Sequence, residues 1–145
     1  HKSFKVFLLD VGLLAAMSKL DPATIVNGNA VFTEFKGALI EQYVCQQLAS
    51  DCGEQPFYWS AENSIGEVDF LVQDSEHVVA IEVKAEENLK SKSLHAFKSR
   101  NPETLAVRFS LAPFREQEWM RNVPLYAMAN KWLWNASSTG TDPYR

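Results

Sequence analysis

A chain of 145 residues, 46% hydrophobic and 22% charged, has the balance of one globular domain and is long enough to bury a core. No apolar run approaches the roughly 20 residues that a membrane helix needs, so a spanning segment is excluded from this reading. A formal charge of −4 and a pI near 5.4 exclude the strong basic excess of a dedicated nucleic-acid binder but leave room for a local basic face. The start, His1-Lys2-Ser3-Phe4, has neither an initiating Met nor the apolar core of a secretory signal, so the chain reads as a piece of a longer cytoplasmic protein. Cys45 and Cys52 stand seven positions apart without partners at zinc spacing and are expected as reduced thiols.

In chain order, residues 4–17 read as an extended entry followed by a helix that starts near Asp10, a suitable N-cap. Residues 20–31 are rich in turn formers and predict a loop with a short helical turn. The strongest helical periodicity covers 33–50, with Thr33 as its cap. The period then changes. Residues 56–60 predict a strand, 61–65 a turn, and 66–73 and 77–84 a hairpin closed by a polar loop around Ser75. A helix follows at 91–100, stopped by Asn101-Pro102, then a strand at 104–111 and an edge strand at 123–127. Residues 1–134 are expected to form the single domain and 135–145 a polar, disordered tail. This order predicts an α/β fold, a mixed sheet flanked by helices.

The hairpin carries the chemistry. Alternation places Glu67, Asp69 and Leu71 on one face and Val68, Phe70 and Val72 on the other; on the partner strand Val78, Ala80, Glu82 and Lys84 share a face. A loop of residues 74–77 pairs Gln73 with Val78 and sets Asp69 opposite Glu82, about 5 Å apart at Cβ, with Lys84 about 7 Å further along. Facing carboxylates repel unless a cation lies between them, and Mg²⁺ suits such oxygen ligands. Lys84 would then orient an attacking water or stabilise developing charge on a phosphoryl group. On the first strong helix, Glu41 falls in the apolar sector with Ala38 and Val44, where a carboxylate is costly unless paired or metal-bound. Against this, a bare E-x-K pattern on a strand is most often a solvated face.

Lys90, Ser91, Lys92, Ser93 and Lys98, with His95 and Arg100, make the next helix basic and hydroxyl-rich, a candidate grip for phosphates of DNA or RNA. The competing reading is a solvated helix face. His1, His77 and His95 form no metal pair, and Trp59, Trp119, Trp132 and Trp134 are expected mainly in the core.

Glu41 on a helix, then Gly66-Glu67-Val68-Asp69-Phe70, then Ile81-Glu82-Val83-Lys84 resembles the E…D…ExK core of the PD-(D/E)XK nucleases. More closely, Phe7-Leu8-Leu9-Asp10-Val11-Gly12, Lys36-Gly37-Ala38-Leu39-Ile40-Glu41, Tyr58-Trp59-Ser60 and Val123-Pro124-Leu125-Tyr126 resemble domain of unknown function 4143, which follows an AAA-type ATPase in many proteins. The resemblance implies a restriction-endonuclease-like core with Glu41, Asp69, Glu82 and Lys84 lining an active site, the three acids as metal ligands. It also implies an N-terminal ATPase as partner domain, where ATP is expected, because this chain has no G-x-x-x-x-G-K-[ST] phosphate loop. Ile65 before Gly66 departs from the family's usual small or polar residue.

Overall fold

The computed structural model describes residues 4–21, 23, 30–61, 66–74, 77–85 and 90–135, with backbone only for 30–34. Helix α1, Val11–Met17, starts where expected: the Asp10 side chain accepts the Leu13 N–H at 3.0 Å. Helix α2, Ala30–Ser50, begins three residues before the expected start, so Thr33 lies inside it rather than capping it. Most of the expected 20–31 loop, and residues 62–65 of the expected 61–65 turn, Ile65 included, lie outside the described residues. Ala38 is exposed, whereas Leu39, Gln42, Val44 and Leu48 are buried. The helix ends where the Glu54 N–H turns back to the Leu48 carbonyl, with Gly53 at φ 67°, a conformation that side chains with a Cβ resist.

Six strands follow: β1 Phe57–Ser60, β2 Glu67–Asp74, β3 His77–Lys84, β4 Leu105–Ser110, β5 Arg115–Glu116 and β6 Arg121–Pro124. They form one mixed sheet in the order β1-β2-β3-β4-β6-β5. The pairs β1–β2, β2–β3 and β5–β6 are antiparallel, and β3–β4 and β4–β6 are parallel. Helix α3, Lys92–Arg100, makes the crossover from β3 to β4. Such a central strand is covered on both faces, which is why Val79, Ala80 and Ile81 are buried consecutively. The expected edge strand near 123–127 is corrected. Here β6 is internal, between β4 and β5, and after Pro124 the chain turns into a 3₁₀ segment, Leu125–Ala127.

The α2 side of the sheet holds the larger core, with Val44, Leu48, Phe70, Val72, Ile81, Val107 and Phe109. Trp134 closes it, edge-on to Phe109, donating its indole N–H to the Met128 carbonyl at 2.7 Å. Asn135, the first residue of the expected tail, is buried, and 136–145 lie outside the described residues. The α3 side holds Val68, Ala80, Leu94, Phe97, Ala106 and Met120, with Trp59 and Trp119 against them. Cys45 and Cys52 are free thiols.

Along the hairpin Gln73 pairs with Val78 as expected, and Phe70 with Ile81. The alternation in β2, however, is broken. Phe57 pairs with Leu71 and Trp59 with Val68, so two steps along β1 span three along β2. The extra residue is a bulge, which turns neighbouring side chains to the same face. Val68 therefore packs on the α3 side with Leu71, whereas Phe70 and Val72 face α2. The expected grouping of Val68 with Phe70 and Val72 does not hold. Glu67 and Asp69 turn toward the α2 side, where Glu41 stands.

Candidate functional site

The site starts with the segment ahead of α1. Gln42 of α2 is only 2% exposed, and its amide is satisfied at both ends by one residue. It accepts the Leu8 N–H at 2.8 Å and donates to the Leu8 carbonyl at 2.7 Å. One helical turn on, Gln46 accepts the Val11 N–H at 2.9 Å and donates to Asp10 at 3.2 Å. The Phe7 ring lies 5.5 Å from Phe70. These contacts clamp residues 7–11 along α2 and hold Lys5 over the end of β2.

There the Lys5 ammonium meets three carboxylates. It donates to Glu41 Oε1 at 2.6 Å, pairs with Glu67, and lies 3.5 Å from Asp69 Oδ1. Burial by itself would lower the Lys5 pKa, but hydrogen bonds to Glu41 and Glu67 and the charges of Glu41 and Asp69 more than reverse this, holding it well above the usual lysine range. The Asp69 carboxyl is pushed up to about 6. Burial is the main cause, the Val83 N–H bond opposes it, and the like charge of Glu41 adds to it. Burial, reinforced by Glu41, also raises the Cys45 thiol.

The second pair sits on β3. Glu82 is 6% exposed; its Oε1 lies 3.1 Å from Lys84 Nζ, and its buried Oε2 has no hydrogen-bond partner among the described residues. Alternation sets Glu82 and Lys84 on the Ala80 side, beside Arg108 of β4 in the parallel register. Arg108, 2% exposed, donates from Nε to Asn122 Oδ1 at 2.8 Å and from a terminal nitrogen to Ser91 Oγ at 3.1 Å. Burial lowers its pKa, while the Glu82 charge opposes the shift. Arg108 and Arg115 line a cleft of about 750 Å³ with Pro113, Phe114 and Asn122.

Of the four expected active-site residues, the described contacts thus join Glu41 to Asp69 through Lys5, and Glu82 to Lys84. The two pairs lie on opposite faces of the sheet and are linked through the β3 backbone. Asp69 Oδ2 accepts the Val83 N–H at 2.8 Å, and Val83 stands between Glu82 and Lys84. The expected facing of Asp69 and Glu82 is corrected: the bulge in β2 turns Asp69 to the α2 side, whereas Glu82 follows Ala80 to the α3 side. Among the described residues no group of three or more His, Cys, Asp and Glu side chains is spaced to hold a metal directly. Where Glu41, Glu67 and Asp69 come together, a lysine ammonium sits at the common centre.

The basic helix divides. Lys98 donates to the carbonyls of Pro102 and Thr104, at 2.5 and 2.7 Å, and Ser91 is buried as the acceptor of Arg108. Lys90 and Lys92 are exposed. Lys92 and Ser93 line a cleft of about 630 Å³ with Trp59, Phe97 and Arg100.

Sequence reasoning missed Lys5, Glu67 and Arg108 as site residues. A single charge inside the apolar stretch 4–9 and another inside the strand 105–110 were the signals for Lys5 and Arg108. Glu67 was visible as the i−2 neighbour of Asp69.

Among the described residues no helix is long and apolar enough to cross a membrane. No curated protein matches the chain. A family model described as a domain of unknown function matches residues 36–128, more than half of the chain and the stretch that holds Glu41, Glu67, Asp69, Glu82, Lys84 and Arg108. The chain belongs to that family, DUF4143.

Proposed function

We propose that this domain is a nuclease-like module of the PD-(D/E)XK type that acts on nucleic-acid phosphodiesters as the C-terminal part of an AAA-type ATPase. The supporting observation is the meeting of Glu41, Glu67 and Asp69 on the Lys5 ammonium, with Asp69 also accepting the N–H of Val83 inside the Glu82-Val83-Lys84 strand. As placed, the acids do not fit Mg²⁺: Glu41 and Asp69 share the α2 side, Glu82 stands on the α3 side, and among the described residues no three such side chains are spaced to hold a metal.

The chain's own groups carry the proposed chemistry. Asp69 has one oxygen turned to the α2 side and the other on the Val83 N–H, so it links the two pairs. Lys84, 3.1 Å from Glu82 and partly exposed, is positioned to orient a water and to stabilise negative charge on a phosphate. Lys92 and Arg100, beside Trp59, offer charge and a flat ring to a nucleic-acid strand.

A second reading, a non-catalytic nuclease-fold module that binds nucleic acid or a protein partner for the ATPase, is favoured by the Lys5 ammonium among the carboxylates and by the net charge of −4. Incubation with plasmid and single-stranded DNA in Mg²⁺ or Mn²⁺ separates the two. The catalytic reading expects cleavage that falls at least about 100-fold in Asp69→Ala and Lys84→Ala. Cleavage surviving both substitutions removes this site from the chemistry, and no cleavage with no metal binding leaves the second reading standing.

A further inference from the structure

We infer that the cleft where β4 runs out toward β5 binds a nucleotide, with its phosphate monoester on Arg115 and Arg108 and its base on Phe114. This cleft is on the α3 side, away from Lys5 and its three carboxylates, and binding there does not depend on phosphodiester cleavage. In open α/β sheets ligands gather at the carboxyl ends of parallel strands, and β4 and β6 run parallel here.

Alternation fixes what faces the cleft. Asn122 stands beside Arg108 of β4 and opposite Arg115 of β5, so the three side chains share one face. Glu116 turns the other way with Arg121, which takes up its carboxylate at 3.0 Å. Arg115 is thus left exposed, with no carboxylate partner among the described residues. The described walls of the cleft hold two guanidiniums and no carboxylate. Its floor is fixed by one buried side chain. Asn122 accepts from Arg108 and Ser110, and donates to the carbonyls of Ala112 and Pro113 at 3.2 and 2.9 Å. The loop held in this way carries Phe114, whose side chain remains 46% exposed.

Guanidiniums match phosphate oxygens two at a time, and an exposed ring beside them offers a base its flat face. Burial lowers the Arg108 pKa, Glu82 opposes the shift, and the like charge of Arg115 adds to it. An anion between the two arginines relieves that repulsion. A phosphate monoester, with nearly two negative charges, does so better than a phosphodiester or a carboxylate.

An amide NMR titration of the whole chain tests this, with AMP, adenosine, inorganic phosphate, and a short single-stranded DNA with and without a 5′-phosphate. AMP is expected to shift the signals of Ala112, Phe114, Arg115 and the Asn122 side chain. It is expected to bind at least about tenfold more tightly than adenosine or inorganic phosphate. Arg115→Ala weakens AMP binding about tenfold and Phe114→Ala about fivefold, whereas Lys92→Ala, in the other cleft, leaves it unchanged. Thermal unfolding is measured beside each variant, and Arg115→Gln and Phe114→Leu replace any that unfolds early. Tighter binding of the phosphorylated DNA than of AMP supports a strand end as the ligand, and the reverse supports a free nucleotide. Adenosine or inorganic phosphate bound as tightly as AMP, AMP affinity indifferent to Arg115, shifts centred outside the cleft, or no binding overturns the inference.

Discussion

On the α2 side of the sheet three carboxylates share a single ammonium, whereas on the α3 side the one carboxylate of Glu82 has two cations, Lys84 and Arg108, for neighbours. The first cluster is rich in negative charge, part-exposed, and closed by a residue from outside the sheet. The second is buried and built into adjacent strands, with Asn122 and Ser91 fixing the arginine. Charge that is balanced, buried and hydrogen-bonded serves the fold. Charge in excess, held by one removable partner, is available for a ligand. Asp69 belongs to both regions through its two oxygens, so the contrast converges on that residue.

The largest effect that sharpens this contrast is expected on the α3 side. Arg108→Ala removes the buried donor that Asn122 and Ser91 accept from, and is expected to cost about 1–3 kcal/mol in chemical denaturation. A loss under about 1 kcal/mol would show that Arg108 serves something other than the fold.

A smaller effect, one of slope, is expected on the α2 side. The Asp69 carboxyl is raised from the ordinary 3.8 to about 6, so between those values the folded protein holds a proton that the unfolded chain has released. Asp69 therefore favours the fold most below the lower value, and this contribution is lost as pH rises through the upper one. Unfolding temperatures of the parent and Asp69→Asn across this window should diverge with rising pH, the Asn variant becoming relatively more stable. Parallel curves would mean that burial and Glu41 do not hold Asp69 in this state.

Much of this was legible in the sequence, for local reasons. Asp10 announces α1 because a short acidic side chain meets a free N–H in any helix start. The Gln73–Val78 register followed from strand alternation, although Asp74 and His77 pair as well, so two residues and not the expected four lie between the strands. What escaped depends on distant partners. The bulge at Asp69–Phe70 has no glycine to mark it and arises from the way β1 pairs with β2, yet it decides which side Glu67 and Asp69 face. The insertion of β6 beside β4 is likewise a non-local parallel pairing, invisible in the local pattern around Val123. Lys5 reaches Asp69 across 64 residues of chain, through contacts that only the packing of Phe7 and Leu8 on α2 creates.

The most direct test of the central claim is paramagnetic broadening of the backbone amide signals by substoichiometric Mn²⁺. A cation drawn to the carboxylates of Glu41 and Asp69 broadens the amides of Glu41, Asp69 and Val83 first and spares those around Trp134. Broadening centred elsewhere, or spread evenly over exposed acidic residues, would contradict the account.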